Sequence, residues 1–337
     1  LFVKSDTINP NKTNTWEKGL LMHTLRLLPL TAILSVSLMT GCATKVANLD
    51  YIELEAQKDA AMADESAAKS IQRAQMNIEL GKTENLDFYA PRHLKIAQDK
   101  LIKARGMHTS GDPDGEVKPI AMASKKTIEA GLATKKAVIT TLRPTLKHKE
   151  KLLEIKANKY YPEDYKNITT TIVKLIDLIE DGKIAEAQKG QKELLPRMHS
   201  NEVDTIEFIQ LQSIKDQLNN IKGKGGDSIA PSSWAVAQRS MLKAQSLISK
   251  TPRAKKQIMQ ATHNVQRAAD HANIITDFAN EINNANGDNA EAIALRVERW
   301  LYRVSVALKH DDIRHRPFDE QAATLATEVE KVMRKSR

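Results

Sequence analysis

The chain has 337 residues, with 51 Lys and Arg against 42 Asp and Glu for a formal net charge of +9. Hydrophobic residues make up 41% of it and aromatics only 4%, a diet of Ala, Leu, Ile, Val and Met that suits helices and excludes the aromatic and β-branched strands of a sheet protein. A single cysteine, Cys42, excludes a disulfide framework and a multi-cysteine metal site.

Residues 1–21 show no apolar period and do not begin with Met; they read as an upstream extension before a start at Met22. Residues 22–41 have the plan of a secretory signal: a short cationic opening at His23 and Arg26, an apolar run from Leu27 to Leu38, and a small-residue exit. The run is short of the roughly 20 apolar residues that a membrane span needs. Leu38-Met39-Thr40-Gly41-Cys42 resembles the lipobox of bacterial lipoproteins, with Met39 where that family usually has Leu. The resemblance implies cleavage between Gly41 and Cys42 and a lipidated Cys42 as the first mature residue. Ala43 and Thr44, with no Asp after the cysteine, imply by the same analogy an anchor in outer-membrane lipid on the periplasmic face. An ordinary signal peptide, or an apolar stretch with a chance Gly-Cys, is the other reading.

Residues 42–85 read as an N-terminal anchor and an Ala-rich helix. Its stripe from Ile52 through Ala56, Ala60, Ala63, Ala67, Ile71 and Ala74 to Ile78 has helical period, and Gly81 is a natural stop. Pro91 opens a second stripe, Leu94, Ala97, Leu101 and Ala104, expected to end at Gly106, with a turn from Gly106 to Gly115. A long helix is predicted from about Glu116 to Asn158, with Pro119 in its first turn and a kink at Pro144. Further helices are predicted from Pro162, near Lys183, from Pro231, Pro252 and Pro317, and over about Asn289 to Lys309.

Three helix starts align. Pro91, Pro162 and Pro231 are spaced by 71 and 69 residues, and each is followed by a large apolar residue three positions on, namely Leu94, Tyr165 and Trp234. The match continues through Ala97, Ile168 and Ala237, and through Leu101, Ile172 and Met241. Each copy runs into a second, Ala-rich helix. One hairpin cannot bury its apolar stripe alone, so copies must stack. The expected fold is all-α, an elongated array or bundle of antiparallel helical hairpins. Repeats are expected over 86–158, 159–226 and 227–287, with a C-terminal helical pair over 288–337. These Pro-led helices behind a lipobox resemble bacterial envelope lipoproteins with DUF4398-type helical domains, and Tyr89 to Arg105 is the best-matching stretch. The resemblance implies an envelope location and a helical architecture, and lends no activity. The OmpA-like domain often found in that family is not read here.

No catalytic constellation stands out. Lys222 to Asp227 reads as a flexible basic turn rather than a phosphate loop, since no strand precedes it. His310 to His315 holds metal-ligand residue types but reads as a capped turn, and His263 and His271 read as packing or surface residues. The expectation is therefore a non-enzymatic protein with no cofactor and no metal ligand. Basic residues at Lys125, Lys126, Lys135, Lys136, Arg253, Lys255 and Lys256 are candidates for holding a polyanion; with Glu and Asp interspersed through most of the same helices, the other and leading reading is a solvated helix face. Export makes nucleic acid an unexpected partner and leaves an envelope protein or the cell wall. The leading expectation is a helical scaffold or adaptor in the envelope; the alternative is a module that binds anionic cell-wall polymer or lipopolysaccharide through basic helix faces.

Overall fold

The structure is a computed structural model that describes residues 46–335, so the lipobox and Cys42 lie outside the described residues. The chain divides into two units at Ala43 and Thr44, and all that follows concerns the second. Fourteen helices and no strand make up the described residues, an all-α fold. α1 (Leu49–Met62) and α2 (Ala67–Thr83) precede a one-turn helix, α3 (Leu86–Tyr89), and a hairpin of α4 (Pro91–Ser110) and α5 (Asp114–Thr141). α6 (Arg143–Glu154) follows α5 after a break, and a second single turn, α7 (Ala157–Tyr160), leads into α8 (Pro162–Glu180) and α9 (Ile184–Gly223). A third, α10 (Gly226–Ile229), leads into α11 (Pro231–Lys250) and α12 (Lys255–Asn283), and the chain closes with α13 (Gly287–Ala307) and α14 (Phe318–Lys335).

The same local device starts each hairpin. Asn85, Lys156 and Gly225 adopt left-handed backbone with φ of 57°, 60° and 81°. Each ends the preceding helix and accepts, through its carbonyl, the N–H groups of the following single turn. Ala90, Tyr161 and Ala230 then extend the chain, and proline occupies the first helical position, where its missing N–H costs nothing. Side-chain volume is exchanged within this device. Four residues before the left-handed position stand Gly81, Leu152 and Ile221; one residue after it stand Leu86, Ala157 and Gly226, all buried. A Cβ on Gly81 would lie 3.2 Å from Leu86 Cδ1, and one on Gly226 would lie 2.5 Å from Ile221 Cγ2. Wherever one of the pair is large, the other is small.

Three cores succeed one another along the chain. The first lies among α2, α4 and α5, around Ile71, Leu94, Leu101 and Ile128. The second joins the end of α5 to α6, α8 and the first half of α9, around Leu142, Leu152, Ile172 and Leu194. The third joins the second half of α9 to α11 and α12, around Leu211, Leu218, Met241 and Val265. A 40-residue helix, α9 therefore serves two cores, and at 1.5 Å per residue it extends about 60 Å. A threonine recurs on the second helix of each hairpin: Thr127, Thr205 and Thr276 are fully buried, and each hydroxyl donates to the carbonyl four residues back.

Several predicted boundaries move. The stripe from Ile52 to Ile78 is two helices, because Ser66 caps α2 by accepting the N–H of Lys69 and the chain opens at Ala63. α4 runs past Gly106 to Ser110, and the stop is the left-handed Gly111. The helix predicted to kink at Pro144 is interrupted outright at Leu142, whose backbone (φ −98°, ψ 15°) turns the chain before α6. Pro119 lies inside α5 rather than in its first turn, Pro252 stands in the loop before α12, and Pro317 immediately precedes α14.

Candidate functional site

A groove of about 600 Å³ lies where the second and third cores meet. Three segments distant in sequence form it. α6 ends at Glu154, and the break through Ile155 and Lys156 leaves the middle of α9 uncovered on that side. The loop at Pro252 and Arg253 and the first turn of α12 close the opposite wall. The floor is aliphatic: Ile155 packs on the second core, while Ile206 and the buried Ile258 belong to the third. Ile209 and Met259 stand at the lip, 43% and 67% exposed.

Charge surrounds this floor. Glu202 of α9 is 2% exposed, and its carboxylate receives both Nε and Nη2 of Arg253, at 2.8 and 2.9 Å. From behind, Nε2 of the buried His148 on α6 lies 2.8 Å from the same carboxylate. Burial by itself pushes the Glu202 carboxyl upward, but the hydrogen bonds and charges of His148 and Arg253 outweigh it and hold the group down at about 2. Lys151 donates to both oxygens of Glu154 at 2.9 Å, an exposed pair that lowers the Glu154 carboxyl. Lys156 and Lys255 complete the rim, and neither has a carboxylate within ion-pair distance among the described residues. The rim thus carries four cations against two carboxylates.

The basic residues singled out in the sequence fall into two groups. On α5, Lys125 pairs with Glu129 at 3.3 Å, Lys126 with Asp59 at 2.7 Å and Lys135 with Glu84 at 2.7 Å, while Lys136 is exposed. The Asp59 hydrogen bond raises the Lys126 ammonium above its ordinary value, against a smaller effect of burial. The second group, Arg253, Lys255 and Lys256, sits at the start of α12, and the first two belong to the groove. In the His310 to His315 segment, Asp312 accepts from the Arg314 guanidinium and backbone, and His310 Nδ1 faces the Asp311 carbonyl. Among the described residues no cluster of three or more His, Cys, Asp or Glu side chains is placed to hold a metal ion.

Sequence reasoning missed Glu202, Lys156 and the aliphatic floor. A trace of Glu202 exists: Met198, Glu202 and Thr205 follow helical spacing on the buried face of α9, so a carboxylate occupies a core register. Nothing in the sequence joins Ile155 to Ile206 and Ile258. No family model, curated protein or solved structure matches the chain.

Proposed function

We propose that the chain is a non-enzymatic lipoprotein, held through a lipidated Cys42 on the periplasmic face of the outer membrane, whose helical hairpins serve as a scaffold or adaptor for other envelope components. The lipobox motivates the anchor. The observation that carries the scaffold reading is the way the hairpins are joined. α9 passes unbroken through two cores, Glu180 of α8 ties the second hairpin to the first, and Glu202 ties α9 to the loop before α12. Such joints resist hinging and favour a stiff body that presents fixed lateral surfaces. No helix of the described residues is long and apolar enough to cross a membrane, so attachment in this reading depends on the acyl group.

Binding of anionic wall polymer or lipopolysaccharide by the basic helices has less support, since Lys125, Lys126, Lys135 and Arg253 already neutralise carboxylates. Fractionation of cells expressing the chain and its Cys42→Ser variant tests the anchor: the wild type is expected with outer membranes and the variant in the soluble periplasm. Both soluble, or both retained in the cytosol, would refute it. Crosslinking in intact cells followed by mass spectrometry tests the adaptor role; recovery of a reproducible envelope partner is expected, and a chain that crosslinks only to itself argues against it.

A further inference from the structure

The groove between the second and third cores has features that a scaffold does not require. We propose that it is a binding site for a single-chain amphiphile with an anionic head group: an acyl chain lies along Ile155, Ile206, Ile209 and Ile258 under Met259, and the head group sits between Lys156 and Lys255.

Four observations select this ligand class. A volume of about 600 Å³ lies within the range of roughly 300–1,000 Å³ typical of small-molecule sites, and a groove of that size holds one chain while offering too little area for a docked helix. Four isoleucines and a methionine make up most of the apolar lining, with Tyr160 as its one aromatic ring, so aliphatic surface outweighs the stacked aromatic walls that select planar rings. Ile209 and Met259 stand exposed beside this floor, so apolar surface is already presented to a ligand. The rim has an excess of positive charge. Glu202 is occupied by Arg253 and His148, and Glu154 by Lys151, which leaves Lys156 and Lys255 without an ion-pair partner among the described residues. A carboxylate or phosphate head group supplies the missing counter-charge. The inference is independent of where the protein resides.

Equilibrium dialysis of labelled palmitate, below its aggregation concentration, against the full-length Cys42→Ser chain tests it, because that chain carries no acyl group of its own on Cys42. Saturable uptake at one site per chain is expected. Within a series of shorter fatty acids, affinity should rise about two- to fourfold per methylene until the floor is covered. Met259→Asp and Ile209→Asp, both at exposed positions, should each weaken binding at least about tenfold. Should Ile209→Asp disturb folding by circular dichroism, the more exposed Met259→Asp decides. Lys156→Gly combined with Lys255→Gln should weaken palmitate about tenfold and leave hexadecanol unchanged, and rising salt should act in the same direction. Absence of saturable uptake, undiminished binding by the Asp variants, or attachment to phosphatidylglycerol vesicles without uptake of monomeric palmitate would each overturn the proposal. Equal affinity for hexadecanol and palmitate would overturn its anionic part.

Discussion

Glu180, the last residue of α8, reaches back to His93 in the first turn of α4: its Oε1 accepts the His93 backbone N–H at 3.0 Å and lies 2.8 Å from His93 Nδ1. The same oxygen accepts the Arg92 N–H at 3.1 Å. Pro91 opens α4 and Ala90 has no side chain that can cap it, so a carboxylate from the next hairpin satisfies the free N–H groups. Glu180→Ala should therefore destabilise the protein by about 2–4 kcal/mol, and Glu180→Gln, which keeps an acceptor, by less. Urea denaturation measures both. Faster amide exchange at Arg92 and His93 in the Ala variant identifies the lost cap; unchanged exchange there would refute it.

Glu202 makes stability depend on acid. Its carboxyl is held at about 2 in the folded protein against an ordinary 4.5, so the unfolded chain takes up the proton first as pH falls. The stabilisation is complete above the unfolded value and is lost as pH drops through the folded one, an amount on the order of 3 kcal/mol. The stability difference between wild type and Glu202→Gln should shrink as pH falls from 5 toward 2. A difference that stays constant over that window would show that the carboxylate is not the cause.

Two glycines should respond to alanine with opposite sign. Gly226→Ala sets a Cβ 2.5 Å from Ile221 Cγ2, 2.8 Å from the Ile221 carbonyl and 2.9 Å from Thr276 Oγ1, and should cost about 1–3 kcal/mol. The double variant with Ile221→Ala should lose less than the sum of the single losses. Gly106 lies inside α4 with open space around it, so Gly106→Ala should stabilise by about 0.5–1 kcal/mol. Thermal unfolding of these variants gives the comparison directly.

The left-handed residues before the single turns provide a further test. Lys156 holds φ of 60° with a branched-free but full side chain, where its counterpart in the third hairpin is Gly225. Lys156→Gly should raise stability by about 0.5–1 kcal/mol, and Gly225→Ala should lower it by about 1–2 kcal/mol. In the first case a more stable protein that binds palmitate less well separates the residue's backbone cost from its role at the groove.

Much of the helical plan was legible in the chain because it depends on local rules. The prolines at 91, 162 and 231 stand at the first position of their helices, where a fixed φ and a missing N–H are harmless. The stripe from Leu94 to Ala104 lies in the first core, as its spacing indicates. Prolines elsewhere show where local reasoning stops. Pro144 and Pro196 carry the same intrinsic penalty, yet the helix breaks just before the first and runs through the second. α9 is packed into a core on either side of Pro196, at Leu194 and Met198 and again from Leu211, whereas the break at Leu142 directs α6 onto the second core.

The candidate site was legible only in part. Arg253 and Lys255 were visible as cations, but their sequence neighbours could not indicate that one neutralises a buried carboxylate and the other faces an aliphatic groove. By itself the sequence determined the helical class, the Pro-led starts and the distribution of charge, since helical period, proline geometry and composition act over a few residues. Tertiary structure alone decided that Ile155, Ile206 and Ile258 share a floor, that Glu180 caps a helix begun 89 residues earlier, and that Glu202 is buried between His148 and Arg253. Those relationships arise from the register in which separate helices pack, and packing follows the summed fit of whole faces rather than any local run of residues.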